Sequence, residues 1–251
     1  MSEDSQSQTL RAILGLRGLV VDGELKSGAR VSEAVIVERL GVSRTPARMA
    51  LVKMHDEGLL EYVNGGYVVA SFSEADLYDA IQIRGSLEGM AARFAAERGI
   101  SATTLAAFDR CLNELDEIVA RTDDGSFYDY SKLNDRFHEL LIQASGSRML
   151  ERSLAQIVKL PFAAPNAFVH SAHSIDPKVR ELMRISQRQH RIIVEQIKER
   201  KGTRAEALVI EHSFSATNYL QLVIEGKVSL DTIPALSLVQ PLASMSSPLK
   251  H

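Results

Sequence analysis

Between Leu40 and Leu51 the chain reads Leu-Gly-Val-Ser-Arg-Thr-Pro-Ala-Arg-Met-Ala-Leu. A tight turn at Gly41 is followed by residues that start a helix. Ser43 is suited to cap free amides, and Pro46 sits in the first turn, where a missing N–H costs nothing. Arg44 and Arg48, four residues apart, then project from one face near the helix start. Two forked guanidinium groups in that place suit the paired acceptors that guanine shows in the major groove. The spacing predicts a recognition helix.

The flanking segments predict its frame. Leu10, Ile13, Leu14, Leu16 and the apolar run 19–21 suggest a first helix ending near Asp22-Gly23, followed by a loop over 24–29. Ser32 caps a short helix running to Leu40, and the recognition helix stops near Gly58. Segments 60–63 and 67–70 flank Asn64-Gly65-Gly66, a hairpin signal because Asn-Gly accepts positive φ. Helix, helix, turn, helix and a two-stranded wing describe a winged helix-turn-helix over residues 9–71.

The remainder is predicted to be helical. Ser73 with Asp76 three residues on makes a capping pair that opens a helix reaching Arg98, with Gly99 as its stop. Further helices are expected near 102–121, 126–145, 148–160, 177–200 and 204–225, broken at Gly125, Gly146 and Gly202. Residues 73–228 thus form a second domain, an all-α antiparallel helical bundle, and the fold class is mainly α. The tail, 229–251, holds Pro234, Pro241 and Pro248 among apolar residues and serines, a composition apolar enough to pack on a neighbour.

Charge narrows how such a protein binds nucleic acid. Through Ala70 there are 8 Lys and Arg against 9 Asp and Glu, so no broad basic surface exists. From Ser43 to Met54, however, Arg44, Arg48 and Lys53 stand without an acid, and local charge has to do the binding. No apolar run reaches the roughly 18 residues of a membrane span. The start, Met1 to Gln6, is polar and acidic, unlike a secretion signal. A single cysteine, Cys111, excludes an intrachain disulfide and fits a reducing cytoplasm.

The C-terminal helices place polar groups where apolar ones belong. Arg84 falls in a stripe with Leu77, Ile81, Leu87 and Ala91, so it points into the bundle and requires an anion. Glu88, one turn on, is one candidate and a ligand carboxylate is the other. Asn134 and His138 lie four apart at the flank of the stripe Tyr130, Leu133, Phe137, Leu141 and Ala144. His190 falls with Met183, Ile193 and Ile197, although Ser186 interrupts that stripe, and His212 falls with Leu208, Ala216 and Tyr219. A single inward histidine is usually a satisfied core residue. Three of them with a neighbouring amide also fit convergence on a divalent metal. His170 and His173 lie in an expected loop. A metal-dependent hydrolase is disfavoured, since the zincin spacing from His138-Glu139 needs a histidine where Ile142 stands, and no nucleophile motif or phosphate loop appears.

Together these residues resemble the GntR family of bacterial transcription regulators, in the FadR-like subgroup with an all-helical FCD effector domain. The resemblance covers about residues 10–226. Gly41-Val42-Ser43-Arg44-Thr45-Pro46-Ala47-Arg48 matches the family's recognition-helix motif, and Ile83-Arg84-Gly85-Ser86-Leu87-Glu88 resembles the opening of the FCD domain. Asn134-Asp135-Arg136-Phe137-His138 with His190 and His212 resembles its metal-binding pattern. The resemblance implies a homodimer on a two-fold operator, more often a repressor than an activator, that responds to a small carboxylate metabolite. It implies DNA contacts from Ser43, Arg44, Thr45 and Arg48, with Gly65 or Gly66 bringing the wing to the minor groove. It also implies a zinc- or nickel-type ion at Asn134, His138, His190 and His212, with Arg84 anchoring the effector. A regulator that senses the metal itself, or nothing, is the alternative. Three departures stand out. Asn134 occupies the place of an aspartate, Ala34 that of a DNA-contacting arginine, and Met49 that of a common glutamate.

Overall fold

The computed structural model describes residues 3–121, 123, 125–160, 162–163, 177–224 and 238–239. His170, His173 and all of 229–251 except Leu238 and Val239 lie outside these residues. The chain divides into two compact units, one from residues 1–77 with 159–161 and 234–251, the other from 78–158 and 162–233.

The first unit holds α1 (Glu3–Val21), β1 (Arg30–Val31), α2 (Glu33–Leu40), α3 (Arg44–Asp56), β2 (Leu60–Val63) and β3 (Gly66–Val69). Ala12, Leu16 and Val20 of α1 recur every four residues and are fully buried. They join Ile36 of α2, Ala47, Ala50, Leu51 and Met54 of α3, and Leu60 and Val69 of the wing in one core. Helix α1 starts well before Leu10, so the apolar stripe marks its packed part rather than its length. Ser32 caps α2, accepting from the Val35 amide at 3.4 Å. Gly41 then turns the chain at φ 61°, a left-handed conformation that a side chain strains, and its N–H closes α2 on the Val37 carbonyl. Asn64 and Gly65, at φ 50° and 76°, make a two-residue hairpin turn whose twist suits the strands on either side.

Three details correct the sequence reading. The sheet has three strands, in the order β1-β3-β2, all pairings antiparallel. Strand β1 follows the loop expected over 24–29 and carries no sequence signal of its own, two residues being too few for a visible alternation. Ser43 stands at the N-cap of α3 but makes no side-chain cap bond. Helix α9 begins at Gly202 itself, because Arg200, at φ 58°, takes the left-handed position that ends α8.

Helix α4 (Glu74–Arg98) leads out of the first unit. Ser73 and Asp76 cap it reciprocally: the Ser73 amide donates to Asp76 Oδ2 at 2.7 Å and the Asp76 amide to Ser73 Oγ at 3.2 Å. The second unit continues with α5 (Ala102–Ala120), α6 (Ser126–Ala144), α7 (Arg148–Ile157), α8 (Pro177–Lys198) and α9 (Gly202–Ile224). Its core is one cluster, with Phe108 and Leu112 of α5, Phe137 and Leu141 of α6, Ile193 and Ile197 of α8 and Val209 of α9. Helices α4 and α9 approach closely at two glycines. A Cβ at Gly85 would fall 2.5 Å from Ser213 Oγ, and one at Gly89 3.0 Å from the Glu206 carbonyl. That approach brings Arg84 and Glu88 beside the α9 histidine.

Candidate functional site

Two regions carry chemistry, one in each unit. On α3, Pro46, Ala47, Ala50 and Met54 face the core, leaving Ser43, Arg44, Thr45, Arg48 and Met49 exposed along the helix start. Arg44 makes no ion pair or hydrogen bond among the described residues. Arg48 Nε lies 3.5 Å from Glu33 of α2, so its charge is shared where the sequence suggested it was free. An exposed pair of this kind is worth at most about 1 kcal/mol and opens readily toward a phosphate or a base. Below this face, buried Glu57 ties α3 to Arg17 of α1 and Lys53.

At the wing, Gly65 is exposed in the turn, and Tyr62 and Tyr67 pack edge to face at 5.1 Å. Sequence reading missed Arg30. It lies on β1, exposed, with its guanidinium 3.2 Å from where a Cβ on Gly66 would stand, so it adds a cation at the hairpin. The pairing of Arg30 with Val68 that puts it there becomes visible only in the folded sheet.

In the helical unit, His138 on α6, His190 on α8 and His212 on α9 are all buried, with ligand atoms within 4.8 Å of one another. Each ring has its Nδ1 against a side-chain oxygen. His190 Nδ1 lies 3.2 Å from Gln187 Oε1, and His212 Nδ1 3.0 Å from Gln189 Oε1. His138 Nδ1 lies 3.1 Å from Glu88 Oε2, in a bent contact rather than an aligned hydrogen bond. The orientation of Gln187 is not arbitrary, since its amide nitrogen donates to the Leu112 carbonyl at 2.9 Å and Asp116 Oδ1 at 2.7 Å. Its oxygen is left to accept, which puts the His190 proton on Nδ1.

With its proton on Nδ1, His190 turns the lone pair of Nε2 toward the other two rings. His190 Nε2 and His212 Nε2 stand 3.0 Å apart. That approach suits either an N–H of His212 donating to the His190 lone pair or a cation shared by the two nitrogens. Burial, then the neighbouring histidines, pushes His190 well below the usual imidazole range, and burial with His138 takes His212 to about 3. Both are therefore neutral near pH 7, the form in which imidazole binds metal. Phe137 covers His190 at a ring distance of 4.0 Å and blocks that side from water. All-nitrogen, water-shielded donors with one open side fit a zinc-type ion.

The open side is a cavity lined by Arg84, Asn134, His138 and His212 at one end and by Phe127, Tyr130 and Tyr219 among others. Asn134 is half-buried and belongs to this lining, one turn before His138. Arg84 is buried and donates through Nη1 to the Ala163 carbonyl at 2.8 Å, while its Nε stands 3.8 Å from Glu88. Among the described residues, neither Arg84 Nε nor Glu88 Oε1 has a hydrogen-bond partner. Burial alone raises the Glu88 pKa, but His138 and Arg84 outweigh it and hold the carboxyl below the usual carboxylate range. Both anions considered for Arg84 from the sequence thus remain in play: Glu88 is near, but leaves the guanidinium unsaturated. The structure brings Arg84, Asn134, His138 and His212 to one cavity, with His190 behind them. Sequence reading missed Gln187 and Gln189, because polar residues on a helix give no signal until a partner helix supplies the ring.

Comparison with known proteins gives the family of both units. Residues 8–69 match the gntR family of bacterial regulatory proteins, and residues 79–214 match the FCD domain. The Glc operon transcriptional activator of Escherichia coli K12 is 26% identical over 71% of this chain and 77% of its own. The HTH-type transcriptional repressor GlaR of the same organism is 23% identical over 87% of this chain and 99% of its own. Among solved structures, E. coli McbR/YncC superposes with a TM-score of 0.57 at 20% identity, covering 88% of this chain and 99% of that one. No helix among the described residues is long and apolar enough to cross a membrane. The chain belongs to the GntR family of DNA-binding transcription regulators, in the group that carries an FCD domain rather than a catalytic one.

Proposed function

We propose that this regulator is a cytoplasmic homodimeric repressor whose hold on a two-fold operator is set by a small carboxylate bound at a metal in its helical domain. Residues 9–71 are the DNA-binding part, 73–228 the effector and dimer-forming part, and 229–251 a tail. Arg44 and Arg48 read guanines or clamp phosphates in the major groove, Ser43 and Thr45 contact the backbone, and Gly65 and Gly66 let the wing approach the minor groove. His138, His190 and His212 would hold a zinc or nickel ion through ring nitrogens, with Asn134 offering its amide oxygen. When bound, the ion supplies a Lewis-acidic anchor for the effector's carboxylate, which Arg84 also meets. The observation that carries this reading is the convergence of three buried imidazoles from three helices, each with its Nδ1 beside a side-chain oxygen.

Dimerisation has support of its own. Ile83 and Met90 of α4 and Ile210 and Phe214 of α9 are exposed apolar side chains on two helices that pack together. A second copy is the occupant that a two-fold operator requires.

The test starts with metal content per chain in tag-free protein purified without chelator, expected near one ion per subunit. Operator DNA, selected from random sequence, is then titrated against a panel of chelating hydroxy- and keto-acids. An acid has to bind the DNA-competent and DNA-incompetent states unequally to shift the equilibrium, and weakened binding is the expected sign. Response to metal but to no acid would favour the metal-sensing alternative. Metal-free protein indifferent to all acids would remove the effector reading altogether.

A further inference from the structure

We infer that Glu88 is the charged positioning residue of the histidine centre, supplying from behind His138 the negative charge that Asn134 does not bring. The inference rests on reading that centre as a metal site.

The donor set itself is neutral. Three imidazoles and an amide leave a divalent ion's charge uncompensated, in a pocket that also holds the Arg84 guanidinium. Among the described residues, no carboxylate belongs to the group of ligand atoms. Among the described residues of the helical unit, Glu88 is the buried acid, 1% exposed. Its placement is determined by the fold: the glycines on either side of it, Gly85 and Gly89, let α9 close on α4. Its Oε2 then faces His138 Nδ1 at 3.1 Å, the side of the ring away from the centre.

A second observation separates Glu88 from a simple ion pair with Arg84. Glu88 Oε1 and Arg84 Nε stand 3.8 Å apart, and among the described residues neither atom has a hydrogen-bond partner. The carboxylate is therefore not saturated by the guanidinium and stays available to the imidazole. A carboxylate behind a ligating histidine selects the Nδ1–H tautomer, orients the ring and makes Nε2 a stronger donor. Gln187 and Gln189 do the same for His190 and His212 with neutral oxygens. Of the three ligands, His138 is thus the one backed by charge.

The experiment measures zinc affinity by chelator competition and ligand geometry by the visible absorption of the cobalt-loaded protein. Glu88→Gln keeps the size and an acceptor oxygen but removes the charge. It is expected to lower zinc affinity about 10- to 100-fold while the cobalt spectrum keeps its form. Asn134→Asp in the Glu88→Gln background moves a carboxylate to the ion and is expected to recover most of that loss. Because Glu88→Gln leaves Arg84 buried without its anion, Arg84→Met/Glu88→Gln is compared with Arg84→Met in parallel, and the same loss is expected between those two. Wild-type protein that binds neither zinc nor cobalt would refute the metal site itself. Wild-type binding with unchanged affinity in both Glu88→Gln comparisons would overturn the role of Glu88 alone. So would a loss that Asn134→Asp fails to recover, since a packing role is indifferent to where the charge sits.

Discussion

At the scale of single residues, the two regions differ in what a substitution removes. Arg44 is exposed and unpaired, so Arg44→Ala subtracts an intermolecular contact and leaves the fold intact. It is expected to cost about 1–3 kcal/mol of specific operator binding with an unchanged melting temperature. A DNA titration that finds wild-type affinity would remove Arg44 from the reading set. Arg48→Ala should cost less than Arg44→Ala, because Arg48 gives up Glu33 to reach DNA. His190 has the opposite character. Its ring is buried against Phe137, and His190→Ala opens a void as well as deleting a proposed ligand. Loss of bound metal in elemental analysis, together with a lower melting temperature of the metal-free protein, is the expected pair of results.

Local sequence was a good guide to elements wherever one residue type dictates a backbone state. Gly41, the Asn64-Gly65 turn and the Ser73–Asp76 capping pair were all legible for that reason. Ser43 was not: a serine at an N-cap position only offers a bond, and here its hydroxyl caps nothing. Ser73→Ala is expected to destabilise the protein by about 1 kcal/mol, read from chemical denaturation. The same pair has a pH signature. Hydrogen bonds from Ser73 hold the Asp76 carboxyl below its ordinary value, so its contribution is full above the ordinary aspartate range and fades as pH falls through the lowered one. Flat stability of Ser73→Ala relative to wild type across acid pH would contradict this. Between elements, Gly89 reports on the approach of α4 and α9. Gly89→Ala puts a Cβ 3.0 Å from a backbone carbonyl, and it is expected to cost about 1–3 kcal/mol and to weaken metal binding with it.

For the whole molecule, the tail carries a consequence that composition only hinted at. Leu238 is fully buried in the core of the winged unit, the Phe72 amide donates to its carbonyl at 3.0 Å, and Val239 pairs with Phe72 in parallel. A residue from the far end of the chain thus helps to complete the DNA-binding unit. Leu238→Ala is expected to destabilise that unit by about 2–5 kcal/mol, followed by hydrogen exchange at the α1 and α3 amides. Unaltered protection there would show that the tail merely rests on the surface. The sequence by itself determined the winged helix-turn-helix, the helical character of the rest, the exposed arginines of α3 and the inward turn of Arg84 and the three histidines. Each follows from periodicity or from a backbone preference held within a few residues. Tertiary structure alone decided which ring nitrogens face one another, that Glu88 stands behind His138, that Arg30 flanks the wing and that Leu238 joins the core. Those relations link residues dozens of positions apart, and no local preference encodes a distance across a packed interior.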